Sequence, residues 1–251
     1  MVLDLHSAGV TGRLARANPV AKLVASFGLG FGVALTDDPV TPAVVLAAVV
    51  AALAAGGVTA RLLLLRGWPL LVSAASLGLT TLLFSDSDDP WLTALTVTIR
   101  VLAIALPGLL VLVTIDPTDL ADALVQNARV PARFAYASLA ALRLLPLMAG
   151  EWRTIGLARR ARGVDAGRNP VVRVRLFAGT VFALLVGAVR RGTRLALAMD
   201  ARGFDATGSR TVARPQVVRR SDVALVVGAF GVLAAAVLIS SALGTFRPVW
   251  A

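Results

Sequence analysis

Ala158-Arg-Arg-Ala-Arg-Gly-Val-Asp-Ala166 and Ala198-Met-Asp-Ala-Arg-Gly-Phe-Asp-Ala206 are two copies of one short stretch, identical at six of nine positions and 40 residues apart. Each copy ends a long apolar segment in the most basic part of the chain. Glycine commonly follows the last residue of a helix, so Gly163 and Gly203 are predicted to end two long helices. The arginine before each glycine then lies at a helix end, where another protein can bind it.

The composition indicates a membrane protein. Of the 251 residues, 57% are hydrophobic and only 16% are charged, and the mean hydropathy is +0.81. These values lie well outside the range of an average soluble domain. The net charge is +11, and 24 of the 25 cations are arginine. In a membrane protein such an excess is typical of cytoplasmic segments that face anionic lipid.

Five segments are apolar enough to cross a bilayer, although several are near the short end of the roughly 17–25 residues that a span needs. These segments are 20–36, 40–57, 68–84, 91–114 and 222–245. The first contains Lys22, which must extend toward the membrane surface. It also contains Gly28, Gly30 and Gly32, which we interpret as positions of close helix packing.

Cations and acids alternate from loop to loop. The N-terminal arm and the connection that holds Arg61 and Arg66 are basic, whereas the turns at 37–38 and 85–90 carry only acids. Residues 116–221 hold 18 of the 25 cations. The positive-inside rule therefore predicts a cytoplasmic N-terminus, a cytoplasmic segment 116–221 and an external C-terminus.

The predicted fold is all-α and polytopic, with about five transmembrane helices. Residues 1–115 form a membrane domain of four spans, residues 116–221 a cytoplasmic domain of about three amphipathic helices, and residues 222–251 the last span with the external C-terminus. The predicted location is the cytoplasmic membrane of a bacterium or archaeon.

The cytoplasmic assignment of 116–221 depends on two further apolar stretches. The first, 132–150, contains Arg143, and a central arginine in a span costs at least about 2.5–3.5 kcal/mol. The second, 176–189, has only 14 uncharged residues and is flanked by arginines on both sides. Both are predicted to lie along the cytoplasmic surface as amphipathic helices. A shorter helix is predicted to start after Pro117.

Several kinds of chemistry are excluded or disfavoured by composition. Cysteine is absent and His6 is the single histidine, so no metal site is predicted. No Gly-x-x-x-x-Gly-Lys-Ser/Thr occurs, and Lys22 is the single lysine, so these residues form no P-loop for nucleotide phosphates. We therefore predict no catalytic residue and no cofactor in this chain.

The sequence also argues against nucleic-acid binding and against a membrane-embedded enzyme. The basic segment lacks the interleaved aromatic residues that stack on nucleic-acid bases, so anionic lipid and protein are the preferred partners and nucleic acid is not expected. A membrane-embedded enzyme would need clustered catalytic groups. The acid clusters, at 37–38 and 86–89, have no accompanying histidine or glutamate, which makes this alternative weak.

The chain resembles the CbiQ/EcfT family, the transmembrane T component of energy-coupling factor (ECF) transporters. The resemblance runs nearly end to end. It is carried by Asn18-Pro19-x-x-Lys22-Leu23, Thr114-x-Asp116-Pro117-x-Asp119-Leu120-x-x-Ala123-Leu124, Arg143-Leu-Leu-Pro146 with Glu151, and Ala198-Met-x-Ala-Arg-Gly-Phe204. Each of the first patterns is weak alone, whereas the paired Ala-Arg-Gly stretches are specific.

The resemblance implies a subunit that docks two ABC ATPases and a small membrane substrate-binding S component. The ATPases, which bind the ATP, would hold Arg162 and Arg202 within Ala161-Arg162-Gly163 and Ala201-Arg202-Gly203. The family transports B vitamins, cobalt or nickel, and the sequence leaves the substrate open. The alternative is the permease of another ABC importer, against which two such stretches in one chain argue.

Five further residues are candidates for a supporting role. Arg159 belongs to the first stretch. Asp165 and Asp205 either brace the arginines or cap the next turn, and we favour capping. Glu151, the single glutamate, is predicted to form an ion pair on a helix surface. Arg100 lies inside the fourth span without an obvious acidic partner, so helix packing and docking of the S component are equally supported.

Overall fold

The computed structural model describes residues 17–56, 60–164, 167–204 and 212–249, and this part of the chain is almost entirely helical. One β-bridge, between Thr36 and Pro248, is the exception among the described residues. The helices are α1 (Pro19–Ala34), α2 (Val40–Ala55), α3 (Ala60–Phe84), α4 (Pro90–Thr114), α5 (Pro117–Gln126), α6 (Ala132–Ala161), α7 (Pro170–Ala201) and α8 (Arg220–Ala242). The all-α prediction is confirmed.

Short polar residues set where several helices begin. Asn18 accepts a hydrogen bond from the Val20 N–H at 3.0 Å, and Pro19 occupies the first helical position of α1. Asp89 and Asp116 cap α4 and α5 in the same way. Each cap satisfies an N–H that has no partner inside its helix, so the helix starts follow from local sequence.

The first compact unit comprises residues 1–129 and 215–251. Helices α1 and α2 pack against both α4 and α8, while α3 lies against α4 and α5 against α1. The buried apolar core consists of Leu29, Val33, Val45, Val49, Leu53, Ala103 and Ala236. These residues come from α1, α2, α4 and α8, so those four helices form the central bundle.

Two glycines of α1 allow α8 to approach closely. A Cβ at Gly28 would lie 2.7 Å from the Phe230 ring, and a Cβ at Gly32 would overlap Leu233. Gly30 faces Ile104 of α4 instead. The prediction that these glycines serve helix packing is confirmed.

The outer surface of this unit is strongly apolar. Leu83, Phe84 and Trp91 are 67%, 80% and 73% exposed. Soluble proteins rarely expose contiguous apolar surface of this kind, and lipid is the solvent that suits it. The chain is a multi-pass membrane protein.

Within the described part of the chain, five helices are long and apolar enough to cross a membrane by length and composition. They lie at Gly67–Phe84, Pro90–Thr114, Ala132–Ala161, Pro170–Ala201 and Arg220–Ala242. Three coincide with predicted spans, whereas the other two are α6 and α7, which the charge pattern places along the cytoplasmic surface. That placement of α6 and α7 stays a prediction.

The first two predicted spans are shorter than expected, because α1 and α2 have 16 residues each. Sixteen residues extend about 24 Å, somewhat less than the roughly 30 Å hydrocarbon layer. Both helices nevertheless pack lengthwise into the bundle formed with α4 and α8, so they share the membrane position of those longer helices.

The second compact unit, residues 130–214, contains α6 and α7. The contacts between these helices run in opposite chain directions: Tyr136 meets Phe204, and Glu151 meets Arg191. Helices α6 and α7 are therefore an antiparallel pair. Helix α5 belongs to the first unit, so the compact unit is smaller than the predicted cytoplasmic segment 116–221.

Candidate partner-binding site

The first Ala-Arg-Gly stretch forms the C-terminal end of α6. Ala161 is the last helical residue and Arg162 is the C-cap. The Gly163 N–H donates to the Arg160 carbonyl at 2.9 Å, and the Val164 N–H donates to the Arg159 carbonyl at 3.0 Å. This pair of bonds is a Schellman motif. It requires a left-handed residue, and Gly163 has φ +71°.

The second stretch ends α7 with the same geometry. Ala201 is the last helical residue and Arg202 is the C-cap. Gly203, with φ +68°, donates to the Asp200 carbonyl at 2.9 Å, and Phe204 donates to the Met199 carbonyl at 3.0 Å. The sequence repeat is thus a structural repeat, and both glycines end their helices as predicted. We call the two ends, 161–163 and 201–203, the arginine tips.

Both arginine tips are exposed along their whole length. The Schellman bonds satisfy two of the last carbonyls of each helix, at Arg159 and Arg160 in α6 and at Met199 and Asp200 in α7, without using the guanidinium groups. An exposed guanidinium presents a planar set of donors that fits a carboxylate. Asp165 and Asp205, predicted to cap or brace, lie outside the described residues.

The two tips lie at opposite ends of the helix pair. The Phe204 ring, two residues beyond Arg202, contacts the Tyr136 ring edge-on at 6.0 Å. Tyr136 lies near the start of α6, whereas Arg162 lies at its end. The intervening helix extends roughly 40 Å at 1.5 Å per residue. One folded partner at each end is therefore sterically reasonable.

Glu151 joins the two helices. Its carboxylate forms an ion pair with Arg191 of α7. The predicted helix-surface ion pair is confirmed, and the partner comes from the other helix of the pair. Nearby, Trp152 packs edge-on against Phe177 at 5.4 Å. Charge and aromatic contacts thus join α6 to α7.

Arg159 is turned away from the tip and toward α7. Its Nη1 donates to the Leu176 carbonyl at 2.5 Å and to Thr180 Oγ1 at 2.6 Å. A Cβ at Gly179 would come within 3.2 Å of its Nη2, so glycine leaves the space that the guanidinium fills. Arg159 therefore supports the helix pair, whereas Arg162 is exposed at the end of α6.

Arg100 has a partner that the sequence did not reveal. Its Nη1 donates to Asp37 Oδ1 at 2.7 Å, and its Nη2 donates to the Thr36 carbonyl. Asp37 lies on the turn between α1 and α2, 63 residues away. The sequence offered no obvious acid within the spans, and the acid that pairs with Arg100 lies instead on this turn, which folds back onto α4. Arg100 anchors that turn, which favours its packing role.

The same end of the bundle contains a buried acid, Asp38, which is fully inaccessible to solvent. Its Oδ2 accepts hydrogen bonds from Ser240 Oγ at 2.6 Å and from the Thr41 N–H and Oγ1 at 2.8 Å. Burial raises the pKa of the Asp38 carboxyl, but the hydrogen bonds from Ser240, Thr41 and Thr36 outweigh it and lower the pKa below its usual value. Asp38 therefore ties α2 to α8 as a carboxylate.

The C-terminal tail closes over this end. The Asp37 N–H donates to the Arg247 carbonyl at 2.6 Å, and the Val249 N–H donates to the Leu35 carbonyl at 3.1 Å. The tail thus extends the bundle by a short stretch of main-chain pairing. Serine and threonine occur in many helices, so nothing in the sequence indicated that Ser240 and Thr245 would form contacts at this end of the bundle.

The opposite end is a second polar layer, built from the start of α1, the end of α4 and the start of α8. The Asn18 N–H donates to Asp222 Oδ1 at 2.9 Å, and the Arg219 N–H donates to Asp222 Oδ2 at 2.7 Å. Lys22 Nζ donates to the Thr114 carbonyl at 3.3 Å. Sequence reasoning missed Asp222, although an acid three residues after the N-cap, here Arg219, is a capping signal.

These features define the class: an all-helical, multi-pass membrane protein with two matching arginine helix ends. The family model for CbiQ, described as cobalt transport protein, matches residues 13–212. The chain belongs to the CbiQ/EcfT family of transmembrane components of energy-coupling factor transporters.

Curated relatives agree with this membership. A protein of Exiguobacterium sibiricum named energy-coupling factor transporter transmembrane protein EcfT is 28% identical over 247 residues, 90% of this chain and 94% of that protein. EcfT of Limosilactobacillus fermentum is 36% identical over 137 residues, and the chain spans 51% of its length. EcfT of Bacillus subtilis is 30% identical over 139 residues, with 52% of each chain matched.

Proposed function

We propose that this chain transmits force between two ABC ATPases and a membrane-embedded S component. Each ATPase binds one arginine tip, with Arg162 and Arg202 each inserted toward acidic groups of its partner. ATP is bound and hydrolysed in those partners, and the S component selects the transported micronutrient. The observation that carries the proposal is the repeated Schellman end, exposed at both extremities of one antiparallel helix pair.

The position of the tips supports a mechanical role. ATPases that close or open would push on the two ends of the pair and change the angle at which α6 crosses α7. The Glu151–Arg191 ion pair and the Arg159 contacts with α7 lie between the two tips. They would keep the helices joined while the angle changes.

An apolar face of α7 supports contact with a membrane subunit. Phe182, Leu185 and Val189 are 68%, 57% and 61% exposed. Their spacing of three and four residues puts them on one side of the helix. A partner that is itself apolar, as an S component in the bilayer must be, would cover this face.

The proposal is tested by charge reversal at the tips. Arg162→Glu and Arg202→Glu, singly and together, are expressed with the ATPases and the S component, and the retained subunits and substrate uptake are measured. A glutamate facing an acidic groove costs several kcal/mol. Each single reversal should weaken ATPase co-purification, and the double reversal should abolish both co-purification and uptake.

Arg153→Glu is the matched control, because Arg153 is also an exposed arginine of α6 but lies away from the tips. The control should behave as the wild type. Retention of the S component by the double variant would show that the membrane part is folded. Unchanged ATPase binding in the double variant would contradict the proposal.

A further inference from the structure

An apolar cavity of about 380 Å³ opens between α1, α2, α4 and α8. Its lining is almost wholly apolar and includes several small residues, among them Ala25, Ala48, Ala52 and Gly228. This volume lies in the range of small-molecule sites, about 300–1,000 Å³, which are likewise mostly apolar with a few polar groups. Leu29, Val49 and Leu53 of the buried core also line the cavity, so it opens directly against the core.

The cavity occupies one half of the bundle. Along α8 its lining runs from Ala224 to Val232, a rise of about 12 Å. Lys22 and Thr114 mark the same level as Ala224, at the end predicted to face the cytoplasm. Half of a hydrocarbon layer of roughly 30 Å has a comparable depth. The depth of the cavity is therefore similar to the hydrocarbon thickness of one leaflet of the membrane.

The charged residues at the mouth of the cavity indicate which lipid head group could bind there while an acyl chain occupies the cavity. Lys22 already donates to the Thr114 carbonyl and is within electrostatic reach of Asp222 and Asp119. Arg220 lies one helical turn before Ala224 on α8 and is exposed. Its guanidinium is thus the cation placed to bind a phosphate at the membrane surface.

We propose that this cavity is a lipid-binding site that takes one acyl chain of an anionic phospholipid, with its phosphate at Arg220. The small side chains leave the slot for the chain, and its depth corresponds to the cytoplasmic leaflet. A bound lipid would fill the space between α2 and α8 and so join the central bundle on that side. The site is independent of the arginine tips.

Photo-crosslinking of the purified full chain in nanodiscs tests the site. The probes are phosphatidylglycerol and phosphatidylcholine that carry a diazirine in one acyl chain, and labelled peptides are identified by mass spectrometry. Phosphatidylglycerol should label peptides of α2 and α8 that line the cavity. Phosphatidylcholine should label them less strongly.

Ala52→Phe fills the cavity, whereas Ala54→Phe places the same ring on the other side of α2, since Ala54 is exposed and does not line the cavity. Ala52→Phe should remove the labelling, and Ala54→Phe should leave it unchanged. Equal labelling of the two variants would overturn the site.

Arg220→Gln and Arg219→Gln separate the head-group contact from general surface charge. Arg220→Gln should lower phosphatidylglycerol labelling about tenfold, the loss expected for one charge-assisted contact with the phosphate. Arg219→Gln, at the N-cap just before α8, should change it little. Equal labelling by both lipids, insensitive to Arg220→Gln, would overturn the preference for an anionic head group.

Discussion

At the scale of single residues, the polar side chains of the bundle act at its two ends. Arg100 holds the turn at Thr36 and Asp37, and Asp38 accepts hydrogen bonds from α2 and α8. A buried carboxylate is tolerated when donors surround it, because the hydrogen bonds replace lost hydration. Each of these residues connects segments that are far apart in the chain.

Asp38 makes stability depend on pH. Because its folded pKa is lowered, the carboxylate stabilises the fold at pH values above its ordinary pKa of about 4. This contribution is lost as the pH falls through the lowered folded value. Asp38→Asn should cost about 1 kcal/mol at pH 7, since a neutral acceptor forms weaker hydrogen bonds, and the deficit should shrink at acidic pH. Thermal unfolding of the wild type and of Asp38→Asn in detergent, from pH 7 to pH 3, measures this difference in stability.

The control is Asp86→Asn, an exposed acid on the α3–α4 turn. This variant should follow the wild-type pH profile within error. A deficit in Asp38→Asn that stays constant from pH 7 to pH 3 would show that the ionised form of Asp38 has no special role.

At the scale of helices, the two arginine tips depend on the left-handed conformation of one glycine each. Gly163 and Gly203 have nearly the same φ, and the same two hydrogen bonds follow in each case. An L-residue is strained in this conformation by roughly 1–2 kcal/mol. The repeat in sequence therefore specifies the shape of both helix ends.

Gly163→Ala should loosen the end of α6 and lower stability by about 1 kcal/mol. Gly156→Ala, inside the same helix with open space around its Cβ position, should instead raise stability by about 0.5–1 kcal/mol. Hydrogen exchange should increase at Arg162 and Val164 in the first variant alone. Changes of the same sign in both variants would contradict the assigned role of Gly163.

At the scale of the whole molecule, the contacts within the central bundle agree with the topology that the alternating loop charges predict. The end of α1 meets the tail after α8, and the start of α1 meets the start of α8. Helices α6 and α7 are long enough to cross a membrane, so their placement decides on which side the first arginine tip lies.

The chain contains no cysteine, so single cysteines report topology directly. Ser87→Cys, on the exposed α3–α4 turn, should react with a membrane-impermeant maleimide in intact cells. Arg168→Cys, just after the first tip, should react only after lysis, because the positive-inside rule places it in the cytoplasm.

Val217→Cys is the internal reference, because it precedes α8 and is cytoplasmic whether or not α6 and α7 both cross the membrane. Labelling of Arg168→Cys in intact cells would show that α6 spans the bilayer. The two tips would then face opposite compartments, and two cytoplasmic ATPases could not bind them both.

Local sequence was sufficient to predict most of the helices and the two arginine tips. Apolar length, proline and asparagine at helix starts, and Arg-Gly at helix ends act over a few residues, so three of the spans and the stops at Gly163 and Gly203 could be predicted. The Glu151 ion pair could be expected as a type of contact, although its partner Arg191 could not be chosen from many arginines.

The long-range partners of Arg100, Asp38, Arg159 and Asp222 were decided by the tertiary structure. Each contact joins residues between 17 and 204 positions apart or depends on how a turn folds back onto a helix. Hydropathy and spacing describe one helix at a time, whereas these bonds form only after helices pack. For the same reason the apolar cavity had no sequence signature, because the space belongs to four helices together.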